Sequence, residues 1–119
     1  MANPNLLNIL SAFGKTDAFT ITSIPSLVVS NPAASNKVYK INSIFIANTQ
    51  GVLPATITLS LFRNNTAYPI ASTVKIEQDS SLVALGKDTG LYLEEGDSLQ
   101  CTASEDGFLT GVVSYEILG

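Results

Sequence analysis

The residues of this chain that could do chemistry are mostly carboxylates, and five of its ten fall in two short strings, Glu94-Glu95-Gly96-Asp97 and Glu105-Asp106. Two carboxyl groups about 5–9.5 Å apart across a cleft would suffice for glycoside hydrolysis. A cluster of hard oxygen donors would suit calcium. On this reading the five carboxylates lie in loops near one end of a β-sandwich, but the spaced Asp/Asn pattern of a dedicated calcium loop is missing. Solvated loops are the preferred reading, ahead of calcium and well ahead of catalysis. The chain has no histidine, which excludes Ser-His-Asp and Cys-His sites. The string Gly86-Lys87-Asp88-Thr89-Gly90 lacks the Gly-Lys-Ser/Thr ending of a phosphate loop and reads as a turn. Cys101 is the only cysteine, so neither an intrachain disulfide nor a cysteine-rich metal cluster can form. Tryptophan is absent and the four tyrosines are scattered, leaving no evident aromatic platform for sugars or bases. The expectation is a protein that is not an enzyme and carries no cofactor and no metal.

Charge limits the partners further. Charged residues make up 13% of the chain, about half the usual share, whereas Ser, Thr and Asn supply 33 of its 119 residues. Such a neutral polar coat suits contact with other protein. The net charge is −4, composed of +3 over residues 1–74 and −7 over residues 75–119, an imbalance that could orient copies against one another or on a lattice. No basic stripe is present, so nucleic acid and anionic lipid are not expected partners. The most apolar stretch, Ile41 to Phe62, is interrupted by Asn42, Asn48, Gln50, Gly51 and Pro54 and cannot supply about 20 continuous apolar residues for a membrane span. No secretory signal is evident at the amino terminus.

The elements that must carry these residues are strands. Short runs of β-branched and aromatic residues alternate with Asn, Gly, Pro, Asp and Ser clusters, the pattern of an all-β antiparallel sandwich, jelly-roll or Ig-like, with about nine strands. Ala55 to Arg63 alternates cleanly, Ile57, Leu59 and Leu61 against Thr56, Thr58 and Ser60. Phe108 to Leu118 and Ser98 to Ser104 do likewise, the second predicting Cys101 inward and inert. Val38 to Asn48 places apolar groups on both faces, implying either a central strand with a loop laid over it or a subunit contact. Shorter strands are predicted at Ala18–Thr22, Leu27–Ser30, Thr73–Glu77, Leu82–Leu85 and Leu91–Glu94. Turns are predicted at Asn31-Pro32, at Arg63-Asn64-Asn65-Thr66, at Lys87 to Gly90, and at Glu95-Gly96-Asp97, the last as a tight hairpin. Pro54 and Pro69 are read as flanking strands.

Residues 1–16 read as an amino-terminal arm in front of a single domain spanning 17–119. Leu6, Leu7, Ile9, Leu10 and Phe13 could support a short helix or an extended arm, and the extended arm is preferred, lying on its own sheet or adding a strand to a neighbour. Those five residues, with Tyr68 and Tyr92 beside turns, are the candidate interface residues.

Three strings carry a family likeness: Val38-Tyr39-Lys40-Ile41-Asn42-Ser43-Ile44-Phe45-Ile46-Ala47-Asn48, Leu91-Tyr92-Leu93-Glu94-Glu95-Gly96-Asp97-Ser98-Leu99, and Val112-Val113-Ser114-Tyr115-Glu116-Ile117. In this order and spacing they resemble small virion structural proteins of tailed phages, marine cyanophages above all. Gly14-Lys15-Thr16 matches the end of those proteins' short arm, and the likeness covers roughly residues 13–118. It implies a virion component, a capsid decoration or cement protein bound to the major capsid protein, to copies of itself as a trimer, or to both, with no catalytic residue or cofactor carried over. A tail, neck or baseplate part is the alternative, and a sandwich gripping a host glycan through its acidic loops is the reading from another class.

Overall fold

In a computed structural model the described residues are 11–86 and 91–119, and they form two antiparallel sheets with no helix. The nine strands are β1 (Ala12–Ile21), β2 (Ser26–Ser30), β3 (Val38–Asn48), β4 (Ala55–Arg63), β5 (Thr66–Ile76), β6 (Ser81–Leu85), β7 (Leu91–Leu93), β8 (Ser98–Ala103) and β9 (Leu109–Leu118). The first sheet runs β1-β9-β3-β6, with β7 also paired to β3, and the second runs β2-β8-β4-β5. Apart from the β4–β5 hairpin and the step from β6 to β7, every connection crosses between the sheets. This is the jelly-roll arrangement of interlocked Greek keys, so the expected sandwich is present and the Ig-like alternative is not.

Alternation along the strands builds the core between the layers. Ile41, Ile44, Ile46 and Val113 from the first sheet meet Ile57, Leu59 and Leu99 from the second, all fully buried. The ambiguous pattern of β3 has a specific cause. Its register against β9 passes from Ile41↔Tyr115 to Ser43↔Ser114, so Asn42 is an extra residue in a β-bulge. The bulge shifts the inward positions from odd to even numbers, which buries Ile41, Ile44 and Ile46 together and turns Phe45 outward. β3 is central, as one reading held, yet 46% of Phe45 is exposed instead of covered by a loop.

Two further expectations need correction. Glu95-Gly96-Asp97 does not make a hairpin, because β7 and β8 belong to different sheets. It is a tight turn between layers, closed by the Asp97 N–H donating to the Glu94 carbonyl at 3.0 Å with Gly96 at φ 84°. Pro69 does not flank a strand. It lies within β5, which is longer than predicted and tolerates a residue without an N–H because it is the outermost strand of its sheet. β1 starts at Ala12, six residues before the predicted strand, so residues 12–16 of the arm lie on the chain's own sheet, paired with β9, which is one of the two placements open to it. The acidic and basic halves of the sequence interleave in the fold, since β8 and β9 of the acidic half lie between strands of the basic half. The predicted turn at Lys87 to Gly90 lies outside the described residues.

Candidate functional site

The acidic string 94–97 is brought against a cation by strand pairing. Phe62 of β4 is opposite Ser98 of β8, so Arg63 and Asp97, one residue further on each side, face one another. Asp97 is only 1% exposed. Its Oδ1 accepts Nε of Arg63 at 2.8 Å, and its Oδ2 accepts both Nη2 of Arg63 at 2.5 Å and the backbone N–H of Glu94 at 2.8 Å. Nη2 also donates to Oε2 of Glu94 at 2.8 Å. The charged hydrogen bonds to Asp97 hold the guanidinium well above its ordinary pKa, with partial desolvation working against them. Asn31 ties the same corner together. Its backbone N–H donates to the Asp97 carbonyl, its carbonyl accepts from Gly96, and its buried amide donates to the carbonyls of Lys37 and Leu93 at 2.9 and 3.0 Å while accepting from Ser35 at 2.7 Å.

The second acidic string is elsewhere. Glu105 and Asp106 follow the last residue of β8, whereas Glu94 to Asp97 precede its first. Six extended residues separate the two by about 20 Å. The expectation that the five carboxylates gather near one end of the sandwich is therefore overturned, because the strand between them runs the length of the sheet. Asp106 accepts the backbone N–H of Ser23 at 2.6 Å, which ties the β1–β2 loop to the β8–β9 turn. Among the described residues no group of three or more His, Cys, Asp or Glu is placed to hold a metal ion. What Glu94, Asp97 and Asp106 do chemically is accept hydrogen bonds that tie their turns to neighbouring segments.

Cys101 is inward as predicted, 1% exposed in the core, and burial pushes its thiol up to about 11. Tyr115 is also buried, stacked on Tyr39 with ring centroids 5.8 Å apart, and donates its hydroxyl to Asp17 at 2.7 Å. Burial and that bond push the phenol up to about 12.

Of the candidate interface residues, Leu6, Leu7, Ile9 and Leu10 lie outside the described residues. Phe13, Tyr68 and Tyr92 are exposed, but the structure does not bring them together: Phe13 is on β1 at one edge of the first sheet, Tyr92 on β7 at the opposite side, and Tyr68 on β5 of the second sheet. The residues that do come together were missed. On the outer face of the first sheet Ala18 is opposite Val112, Val112 opposite Phe45, and Phe45 opposite Val83. These four, one from each of β1, β9, β3 and β6, form a solvent-facing apolar row across the sheet. The signal available in the sequence was Val112, apolar on the polar side of the Phe108 to Leu118 alternation, whereas Phe45 shares the parity of Tyr39 and Ile41 and is turned outward only by the bulge. On that face the described strand residues carry charge only at Lys40 and Glu116, which are opposite one another. Beside the row, Gly14, Lys15, Thr16, Asn42 and Glu116 line part of a shallow depression of about 370 Å³.

No protein-family profile and no curated protein sequence matches this chain. Among solved structures it is similar to one described as "Bacillus endospore appendages form a novel family of disulfide-linked pili", with a TM-score of 0.53 and 13% identity over 99% of this chain and 95% of that one. It also matches the nucleoplasmin-like N-terminal domain of Drosophila FKBP39, with a TM-score of 0.43 and 13% identity over 87% of this chain and 85% of that one. The first likeness is one of fold.

Proposed function

We propose that this chain is a non-enzymatic structural subunit of a phage virion, a capsid decoration or cement protein that binds the major capsid protein lattice through the outer face of its first sheet. The observation that carries this reading is the row Ala18, Val112, Phe45 and Val83, lying on a face whose two charges oppose each other. A contiguous apolar strip rimmed by Ser and Thr is the composition of a protein contact. Burying what remains exposed of Phe45, Val83 and Val112 is worth about 2 kcal/mol each at about 25 cal/mol per Å², before the cost of association. A single contact of that size is weak, and repetition over a closed shell multiplies it. The order and spacing of the three phage-like strings supply the kind of particle. The likeness to disulfide-linked pili adds only the fold, and Cys101, buried in the core, offers no bond to a neighbour.

The acidic loops give the glycan reading no support, because Asp97 and Glu94 already hold Arg63 and the other pair is at the far end of β8. The test is to localise the chain in intact particles and to measure its occupancy on empty heads with Phe45→Glu and Val112→Glu variants. Density on the head and at least a tenfold loss of occupancy in each variant support the reading. Density in the tail, neck or baseplate, or unchanged occupancy, overturns it.

A further inference from the structure

The four sheet edges are not equally protected against pairing. β5 carries Pro69 and two breaks in its register with β4. β2 has five residues and one break, and the far side of β3 is covered by two short strands of five and three residues. Each of these is a recognised way of blunting an edge. β1 has no proline, no break and no shortening, and only Lys15 and Asp17 stand against pairing: its ten residues pair with β9 in unbroken register from Ala12↔Leu118 to Ile21↔Leu109, and among the described residues it stands at the end of the sheet order.

The inner side of β1 is also only half covered. Phe13, Lys15, Asp17, Phe19 and Ile21 share the inward parity, and exposure falls along them from exposed at Phe13 and Lys15 to 1% at Ile21. Phe13, facing the side of the core, is 59% exposed.

We infer that two copies of this chain pair through their β1 edges, antiparallel about a two-fold axis at Thr16. In that register Lys15 faces Asp17 of the second copy, and Asp17 faces its Lys15. Thr16 faces Thr16, and Phe13 faces Phe19. Nine residues, Ala12 to Thr20, take part. Opposite charges, Thr–Thr and aromatic pairs directly across antiparallel strands are each favourable. The exposed start of each β1 lies beside the covered end of the other, so the second copy shields the Phe13 that its own sandwich leaves open.

The register is selected by charge. Moving the axis to Lys15 sets Lys15 against Lys15, and moving it to Asp17 sets Asp17 against Asp17; like charges directly opposite are unfavourable. Of the registers about a two-fold axis on β1, only the one at Thr16 sets Lys15 against Asp17, and the symmetry of an isologous interface makes that pair twice. The result is one continuous sheet running through both molecules, a two-fold unit in place of the trimer expected from the sequence. It does not depend on the virion reading, because it concerns the purified chain.

The experiment is disulfide trapping on the full-length protein, in which the native Cys101 is buried. Thr16→Cys places the new thiol opposite its own copy, whereas Gly14→Cys, on the same strand and face, is opposite Ala18. Under mild oxidant Thr16→Cys is expected to give a covalent dimer at least tenfold faster than Gly14→Cys, and Lys15→Asp, which opposes Asp17, is expected to weaken the unlinked dimer at least tenfold in sedimentation. Equal trapping of the two cysteine variants, or a monomer at all concentrations up to about 100 µM, overturns the proposal. Trapping that appears only after residues 1–10 are removed also overturns it, by showing that the chain's own amino terminus holds the edge.

Discussion

Replacing Asp97 by Asn tests whether the corner at Arg63 is a structural latch. The change keeps the side-chain volume but removes the charge and turns one acceptor oxygen into a donor. The wild-type carboxylate satisfies three donors: Nε and Nη2 of Arg63 and the N–H of Glu94. An amide retains one oxygen, so at least one of those donors meets an NH2 group. Removing one partner of a buried ion pair costs about 3–5 kcal/mol. The lower end applies here, because the Arg63 side chain is 35% exposed and water can solvate it once released. The expected loss is therefore about 3 kcal/mol, or about 10–15 °C in Tm for a chain of this size. Urea denaturation followed by far-ultraviolet circular dichroism measures it, and a cycle with Arg63→Met isolates the pair, with an expected coupling of about 2 kcal/mol. A loss below about 1 kcal/mol for Asp97→Asn, with no coupling to Arg63, would refute the latch.

Two further outcomes follow from burial. Cys101 and Tyr115 are weak acids held neutral in the fold, so the unfolded chain releases their protons first as pH rises; it then binds fewer protons than the native state, and stability falls. For Cys101 the fall lies between about pH 9 and about 11 and amounts to about 2–3 kcal/mol; Cys101→Ala should flatten it in denaturation curves taken at successive pH values, leaving the Tyr115 fall between about pH 10 and 12. Gly111 is opposite Phe19, whose ring occupies the space where a Cβ would stand. Gly111→Ala should displace the ring and cost about 1–2 kcal/mol in thermal unfolding, with less than additive loss when combined with Phe19→Leu.

The sandwich and all nine strands were legible because alternation of the type seen in Ala55 to Arg63 reports which side of a sheet is buried, and Asn, Asp and Gly marked the ends. Asn64 and Asn65, at φ 52° and 60°, make the two-residue turn their types predict. What escaped depends on contacts between distant segments. The start of β5 was missed because its residues are exposed on both faces and include Pro69, so neither alternation nor composition marks a strand that is held by β4 alone. The Arg63–Asp97 pair joins residues 34 apart in sequence through the β4–β8 ladder, and no local pattern encodes that. The apolar row was hidden for the same reason, since each strand contributes a single residue.

The bulge at Asn42 is where local pattern and final structure disagree most, and a deletion puts it to the test. Without Asn42, β3 reads Val-Tyr-Lys-Ile-Ser-Ile-Phe-Ile-Ala-Asn, an unbroken alternation in which Tyr39, Ile41, Ile44, Ile46 and Asn48 all keep their inward positions. The partners on β9 are already consecutive, Tyr115 and Ser114. Deletion removes a buried carbonyl oxygen that has no partner, Asn42 Oδ1, which relieves about 1–3 kcal/mol of desolvation, and it loses the bond from Asn42 Nδ2 to Glu116 at 3.1 Å, which costs about the same. The two effects nearly cancel, so the shortened protein should unfold within about 1 kcal/mol of the full chain. Deleting Val112 instead should prevent folding, because it turns Val113 and Tyr115 outward. If both deletions were equally destructive, β3 would need the bulge itself, and the parity argument for Phe45 and its apolar row would lose its basis.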